Sequence, residues 1–143
     1  MVYYCNGAAP CTSGYMSALT DQARAVAWGC DGASVGASGE NIGDGATNTA
    51  KILTIGCLSP LPAAALAASN YKGGGLNGWF LPSTGDLSSC IDNIGSKISF
   101  SGKDYWTSSE VGPLYATALS SSDSSYYNAI RYSLLGVRAV RAF

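Results

Sequence analysis

The stretch Gly78-Trp79-Phe80-Leu81-Pro82-Ser83-Thr84-Gly85-Asp86-Leu87 narrows most sharply what this chain can fold into. Gly73, Gly74, Gly75 and Gly78 make a flexible turn. Trp79, Phe80 and Leu81 then form a short apolar run that Pro82 must stop, because proline has no N–H to continue a ladder. Directly afterwards Ser83 is placed to cap a helix, with Asp86 three residues on to reach back to the cap's own N–H. Leu87, Ile91 and Ile94, spaced by four and three, give that helix an apolar face, and Gly95 is placed to end it. The sequence thus predicts a strand that stops at Pro82 and a helix from about Thr84 to Ile94.

Elements on either side follow from similar local signals. Met1 to Tyr4 and Gly14 to Leu19 alternate well enough to predict a hairpin across Asn6-Gly7-Ala8-Ala9-Pro10, which brings Cys5 and Cys11 within bonding distance as a disulfide. The other cysteines, Cys30, Cys57 and Cys90, cannot all pair within one chain. At most one further bridge forms, and Cys57 and Cys90 fall on predicted helices where a free buried thiol is equally consistent. Gly29 to Gly45, low in bulk and rich in glycine, reads as a long surface loop. Thr47 or Asn48 is expected to cap a helix over Asn48 to Cys57, with Ile52, Ile55 and the Ala50 methyl on one side. Ser59-Pro60-Leu61-Pro62 breaks that helix, and Ala63 to Tyr71 forms a short alanine-rich one. Lys103 to Ser109, Leu114 to Leu119, Ala129 to Tyr132 and Val137 to Phe143 read as strands, with Ser120 to Asn128 as a loop between them.

Composition limits the rest. A chain of 143 residues with 47% hydrophobic content fills one core, so residues 1–143 are expected to form a single, loop-rich α+β domain. With 12% charged residues and a net charge of -1, it lacks the basic stripe that nucleic acid requires. The absence of histidine removes Ser-His-Asp and Cys-His catalysis and His-ligated zinc, and no carboxylate pair stands in a glycosidase pattern, so no enzyme is expected. Five cysteines without any C-x-x-C pair indicate an oxidising environment. No stretch approaches the roughly 20 apolar residues of a membrane span. Met1-Val2-Tyr3-Tyr4-Cys5 is unlike a signal peptide, so an extracellular chain is expected to be a mature or excised piece, or to be exported by another route.

Three ordered blocks carry a resemblance. Gly78 to Leu87, then Tyr105-Trp106-Thr107-Ser108-Ser109-Glu110, then Val137-Arg138-Ala139-Val140-Arg141-Ala142-Phe143 resemble the G-W-x-L-P-S-x-x-E-L, Y-W-S-S-T-E and V-R-A-V-R-A-F blocks of the DUF1566 family. Upstream, Ala18-Leu19-Thr20-Asp21-Gln22, Trp28-Gly29 and Asn48-Thr49-Ala50 are similar to that family's first half, so nearly the whole chain is covered. Gly85-Asp86 departs from the pattern, standing where the family usually has a charged residue followed by Glu. The family is similar to the C-terminal domain of the Legionella collagen-like adhesin. The resemblance implies a C-type-lectin-like fold, with two main helices packed on short antiparallel sheets and long loops. It also implies the C-terminal part of a longer extracellular protein, such as an adhesin or a phage tail fibre tip at a cell surface or virion, assembled as a homotrimer or higher assembly. By the same resemblance Asp21 to Gly29 is a connector with Trp28 packed inward.

Candidate functional groups divide accordingly. Trp28, Trp79 and Trp106 sit beside strand and turn signals and read as core rather than a sugar-stacking platform. Arg138 and Arg141 are expected to pair with carboxylates such as Glu110 or Asp104. Asp104, Glu110 and Asp123 offer oxygen ligands suited to calcium, yet no Glu-Pro-Asn-type sugar motif accompanies them, so no cofactor or metal is expected and Glu110 reads first as a structural acceptor near Trp106. The glycine-rich run Gly36 to Asn48 lacks the strand and the Gly-Lys-Ser/Thr of a phosphate cradle. The serine and tyrosine cluster differs, because phenols give amphipathic contact area and serine and asparagine give adaptable hydrogen bonds, the chemistry of paratopes. Its alternative is an ordinary polar hairpin loop, and the resemblance favours a binding face before the final strand. Tyr115, Ser121, Ser122, Asp123, Tyr126, Tyr127, Asn128 and Arg131 are therefore the expected ligand contacts of a non-catalytic glycan- or polymer-binding domain. The alternative is a structural subunit or cap of a filament or virion.

Overall fold

The computed structural model describes residues 1–57, 60–100 and 103–143. Among the described residues three α-helices and two sheets make a mixed α+β architecture. The smaller sheet has the order β1-β2-β8, where β1 is Val2–Cys5, β2 is Gly14–Ser17 and β8 is Val140–Ala142. The larger has the order β3-β7-β4-β5-β6: Ala23–Val26, Leu135–Val137, Tyr105–Val111, Tyr115–Leu119 and Tyr126–Ile130.

The expected N-terminal hairpin is present, with Cys5 opposite Gly14 and a Cys5–Cys11 disulfide closing its loop. A second disulfide joins Cys30 to Cys57, and Cys90 is a buried free thiol. The predicted handover at Pro82 is also found. Helix α3 spans Thr84–Ile94, Ser83 accepts from the Asp86 N–H, and Asp86 returns to the Ser83 N–H as a capping box. The Trp79 to Leu81 run is less than a strand, because only Phe80 bridges, to Val140. Ser59 of the expected proline breaker lies outside the described residues; beyond it, α2 covers Ala63–Ser69.

Other expectations are corrected. Helix α1 covers Asp44–Thr54 rather than Asn48 to Cys57, entered through a left-handed Gly43. Its buried side is Gly45, Asn48, Thr49 and Ile52, while Ala50 and Ile55 are exposed. Ala50 stands two residues from Ile52, about 200° around the helix, and the two cannot share a face. The connector contains strand β3, paired with β7. The closing block is two strands in different sheets, since the chain leaves β7 at Val137 and joins β2 at Val140. Tyr126, Tyr127 and Asn128 belong to β6, so the loop shrinks to a tight turn at residues 120–125.

The core forms around the larger sheet. One cluster joins Trp106, Ala116, Ala118, Ala129 and Val137 of the sheet to Ile52 of α1, Ala64, Ala65 and Ala68 of α2, and Trp28, Trp79 and Leu81. All three tryptophans are buried, as expected. Trp28 donates its indole N–H to Thr107 O, and Trp106 donates back to Val26 O, both at 2.8 Å. Small alanines on the sheet give these rings their room. Helix α3 lies between the sheets: Cys90 and Ile94 meet Tyr3, Phe80 and Val140 on one side, and Leu87 meets Tyr105 and Leu119 on the other.

Candidate ligand-binding face

Strands β5 and β6 form a regular hairpin, with Tyr115 opposite Ile130, Thr117 opposite Asn128 and Leu119 opposite Tyr126 on one face. Ala116 opposite Ala129 and Ala118 opposite Tyr127 occupy the other. The first face meets α3 at its turn end, where Tyr126 packs with Leu87, Tyr105 and Leu119 and donates its hydroxyl to Thr84 O at 3.3 Å. Toward the far end Tyr115, Asn128 and Ile130 are exposed. The second face is the alanine floor of the main core, from which Tyr127 projects at the sheet's rim.

A short network fixes the turn. Asp123 accepts from the Ser125 N–H at 3.0 Å and the Ser125 hydroxyl at 2.7 Å, which holds its carboxyl below the usual range. Ser120 and Ser122 share a hydroxyl hydrogen bond at 2.8 Å. Asp104, just ahead of β4, accepts from the Ser121 N–H at 3.3 Å and the Tyr127 hydroxyl at 2.6 Å, so one carboxylate grips the turn and the strand that leaves it. Burial first, and then Asp104, push the Tyr127 phenol up to about 12. Ser122, Asp123, Ser124 and Ser125 stay exposed, and Ser124 holds a left-handed φ of 58°.

Strand β6 is also a sheet edge. Ser120 N–H donates to Ser125 O and Arg131 N–H to Leu114 O, which sets the phase of the ladder. By the alternation of antiparallel pairing, Tyr127 and Ala129 bond to β5, while the main-chain groups of Tyr126 and Asn128 point away from the sheet.

Arg131 does not join this face. Its side chain is fully buried, stacked 4.4 Å over the Trp28 ring. All five of its N–H donors are used, on Tyr115 O, Cys30 O, Ala33 O, Gly112 O and the Glu110 carboxylate at 2.9 Å. Burial alone would push Glu110 up, but the Val35 N–H, the Ser34 hydroxyl and the Arg131 guanidinium outweigh it and hold the carboxyl below its ordinary value. The ion pairs therefore differ from the expected ones. Glu110 pairs with Arg131, Arg138 pairs with Asp21, and Arg141 donates to Asn77 O at 2.9 Å.

The sequence-predicted contacts thus fall in four places. The turn unites Ser121, Ser122 and Asp123 with Tyr127 through Asp104; Tyr115 and Asn128 are diagonal neighbours on the outer face; Tyr126 leans on α3 and Arg131 points into the core. Of the three residues weighed as calcium ligands, Asp104 and Asp123 serve the turn while Glu110 holds Arg131 apart from them, and the described residues include no cluster of three metal-binding side chains. Among the described residues no helix is long and apolar enough to cross a membrane.

Sequence reasoning missed two features. Asp104 serves as the clamp of the turn, and its partner Tyr127 stands 23 residues away, beyond the reach of a local pattern. A cavity of about 480 Å³ opens beside the turn, floored by Phe100 and Ile91, and no local pattern announces it. Comparison with protein-family models and with curated proteins finds no match to this chain.

Proposed function

We propose that this chain is a non-catalytic extracellular binding domain that recognises a glycan or other surface polymer through the outer surface of the β5–β6 hairpin. The carrying observation is a preorganised hairpin whose exposed groups include the hydroxyls of Ser122, Ser124 and Ser125, the phenols of Tyr115 and Tyr127 and the Asn128 amide, beside Ile130 and the Asp123 carboxylate, with the turn held by Asp104 and Asp123. Such groups exchange hydrogen bonds with a polyhydroxylated ligand at little ordering cost. The two disulfides support an oxidising location. The most buried acids and bases serve as structural ties: Asp86 accepts from Tyr3, Gly43, Gly45 and Ser83, while Glu110 and Asp21 hold arginines. The resemblance to the DUF1566 family adds a C-type-lectin-like scaffold at the end of a longer adhesin or phage fibre, and a trimer in which weak single sites gain by avidity.

A glycan array, followed by whole-cell binding, tests this reading. Tyr115→Ala, Ser122→Ala and Asn128→Ala combined remove exposed side chains outside the packed core, and a loss of tenfold or more in affinity is expected. A folded triple variant that binds a confirmed ligand unchanged would refute the assigned face.

The open β6 edge favours a second reading, in which the domain assembles with its own kind as a filament or virion subunit. Outward N–H and C=O groups on an uncharged strand are a template for pairing. Light scattering separates the two: open-ended growth supports assembly, and a discrete trimer with free hairpins supports binding.

A further inference from the structure

We infer that the cavity between the end of α3 and the β5–β6 turn is a subsite for a neutral pyranose ring. The inference rests on the proposed binding role of the hairpin and names the chemistry one part of it selects. Helix α3 ends at Ile94, and between its last turn, the segment that follows it to Phe100 and the β5–β6 turn lies a space of about 480 Å³. That lies within the roughly 300–1,000 Å³ of small-molecule sites.

Its lining has two parts. Ile91, Phe100 and Leu119 form an apolar floor, and Ser96, Ser121 and Ser124 are among the residues at its rim; among the described residues that line it none has an ionisable side chain. The Phe100 ring is fixed edge-on against Tyr105 at 5.1 Å between centroids, with the Arg138 guanidinium 4.7 Å from its centre. The opposite wall is fixed too, because Asp104 holds the Ser121 N–H and Tyr126 reaches Thr84. A rigid space with an aromatic and aliphatic floor and a hydroxyl rim matches a ring with a C–H face and equatorial hydroxyls. The nearby Arg138 guanidinium is already paired with Asp21, which leaves little countercharge for an anion, and a hydrocarbon leaves the serines unsatisfied. Ser124 takes a left-handed φ of 58°, a conformation that glycine adopts more easily, and places a hydroxyl-bearing side chain at the cavity.

The test is an amide-shift titration of the whole chain with methyl glycosides of glucose, galactose, mannose and N-acetylglucosamine. Galacturonic acid and cyclohexanol serve as charged and apolar controls. At least one neutral glycoside should move the amides of Ser96, Ser121 and Ser124 at millimolar concentration, with both controls at least fivefold weaker. Ser96→Trp, an exposed rim change that fills the space, should abolish the shifts; Ser124→Gly should keep or raise the melting temperature while weakening binding about fivefold. No shift with any glycoside, shifts that survive Ser96→Trp, or controls that bind equally would overturn the subsite. If array binding is lost in the Tyr115, Ser122 and Asn128 variant while the glycosides leave the cavity amides unmoved, the hairpin reading stands and the subsite falls. If the cavity amides shift while array binding is indifferent to those three residues, the subsite stands and the hairpin reading falls.

Discussion

Replacing Arg131 with methionine keeps a long side chain in place while deleting five donors and a charge. In the folded chain this strips a partner from the carbonyls of Tyr115, Cys30, Ala33 and Gly112 and from the Glu110 carboxylate, whose side chain is 6% exposed. Breaking one side of a buried pair costs about 3–5 kcal/mol, because the other charge is left in low dielectric. Glu110 keeps the Val35 N–H at 2.6 Å, the Ser34 hydroxyl at 3.1 Å and the Gly36 N–H at 3.3 Å, so the lower end applies, about 3 kcal/mol. With a urea slope of roughly 1–3 kcal/mol/M, the unfolding midpoint should fall by about 1–3 M. Adding Glu110→Gln removes the stranded charge, so the double variant should lose less than the sum of the singles, with a coupling of about 1–3 kcal/mol. Urea unfolding of the four proteins by tryptophan fluorescence measures this. A single-variant loss below about 1 kcal/mol with additive effects would rule out a tightly coupled buried pair, and would return Arg131 to the ligand-binding face.

Other perturbations have similarly definite outcomes. Glu110 is held below its unfolded value, so its contribution is present above the ordinary carboxylate pKa and lost as pH falls through the folded one; Glu110→Gln should flatten the acid limb of a stability profile below about pH 4. Tyr127 is raised to about 12, so its contribution is present below about pH 10 and lost as pH climbs through 12; Tyr127→Phe should remove this alkaline step from a turn-reporting amide spectrum. Gly85→Ala places a Cβ 2.6 Å from Glu40 O, in a loop whose carbonyl the Gly85 N–H also engages, and should cost about 1–3 kcal/mol by thermal unfolding. Ser83→Ala removes the α3 cap and should cost about 0.5–2 kcal/mol in the same assay.

What the sequence revealed was local. The Ser83 and Asp86 cap, the Cys5–Cys11 hairpin and the apolar spacing of α3 each need only residues within a few positions, and each is found where those residues place it. The early start of α1 depends on Asp86, which accepts from the Gly43 and Gly45 N–H groups from 43 and 41 residues away. The fate of Arg131 was hidden for the same reason. Its partners Cys30 and Ala33 lie about a hundred residues earlier, and the loop they belong to reads as polar surface until it folds over Trp28. Gly85 departs from the resembled pattern because residues 40–42 cross the start of α3 and leave no space for a side chain. The break at Arg138-Ala139 is equally non-local, as one block of sequence serves two sheets. The binding face was legible by composition and not by direction: a Ser/Tyr run says which groups are present, and only the ladder's register says which of them look outward.

Mapping the amides perturbed when a ligand identified on the array is added to the whole chain puts the proposed face to the proof. Binding through the β5–β6 hairpin predicts shifts confined to residues 115–128 and the adjoining end of α3, with α1, α2 and the Cys5–Cys11 loop unmoved. Shifts centred on those distant elements, with the hairpin silent, would rule the face out.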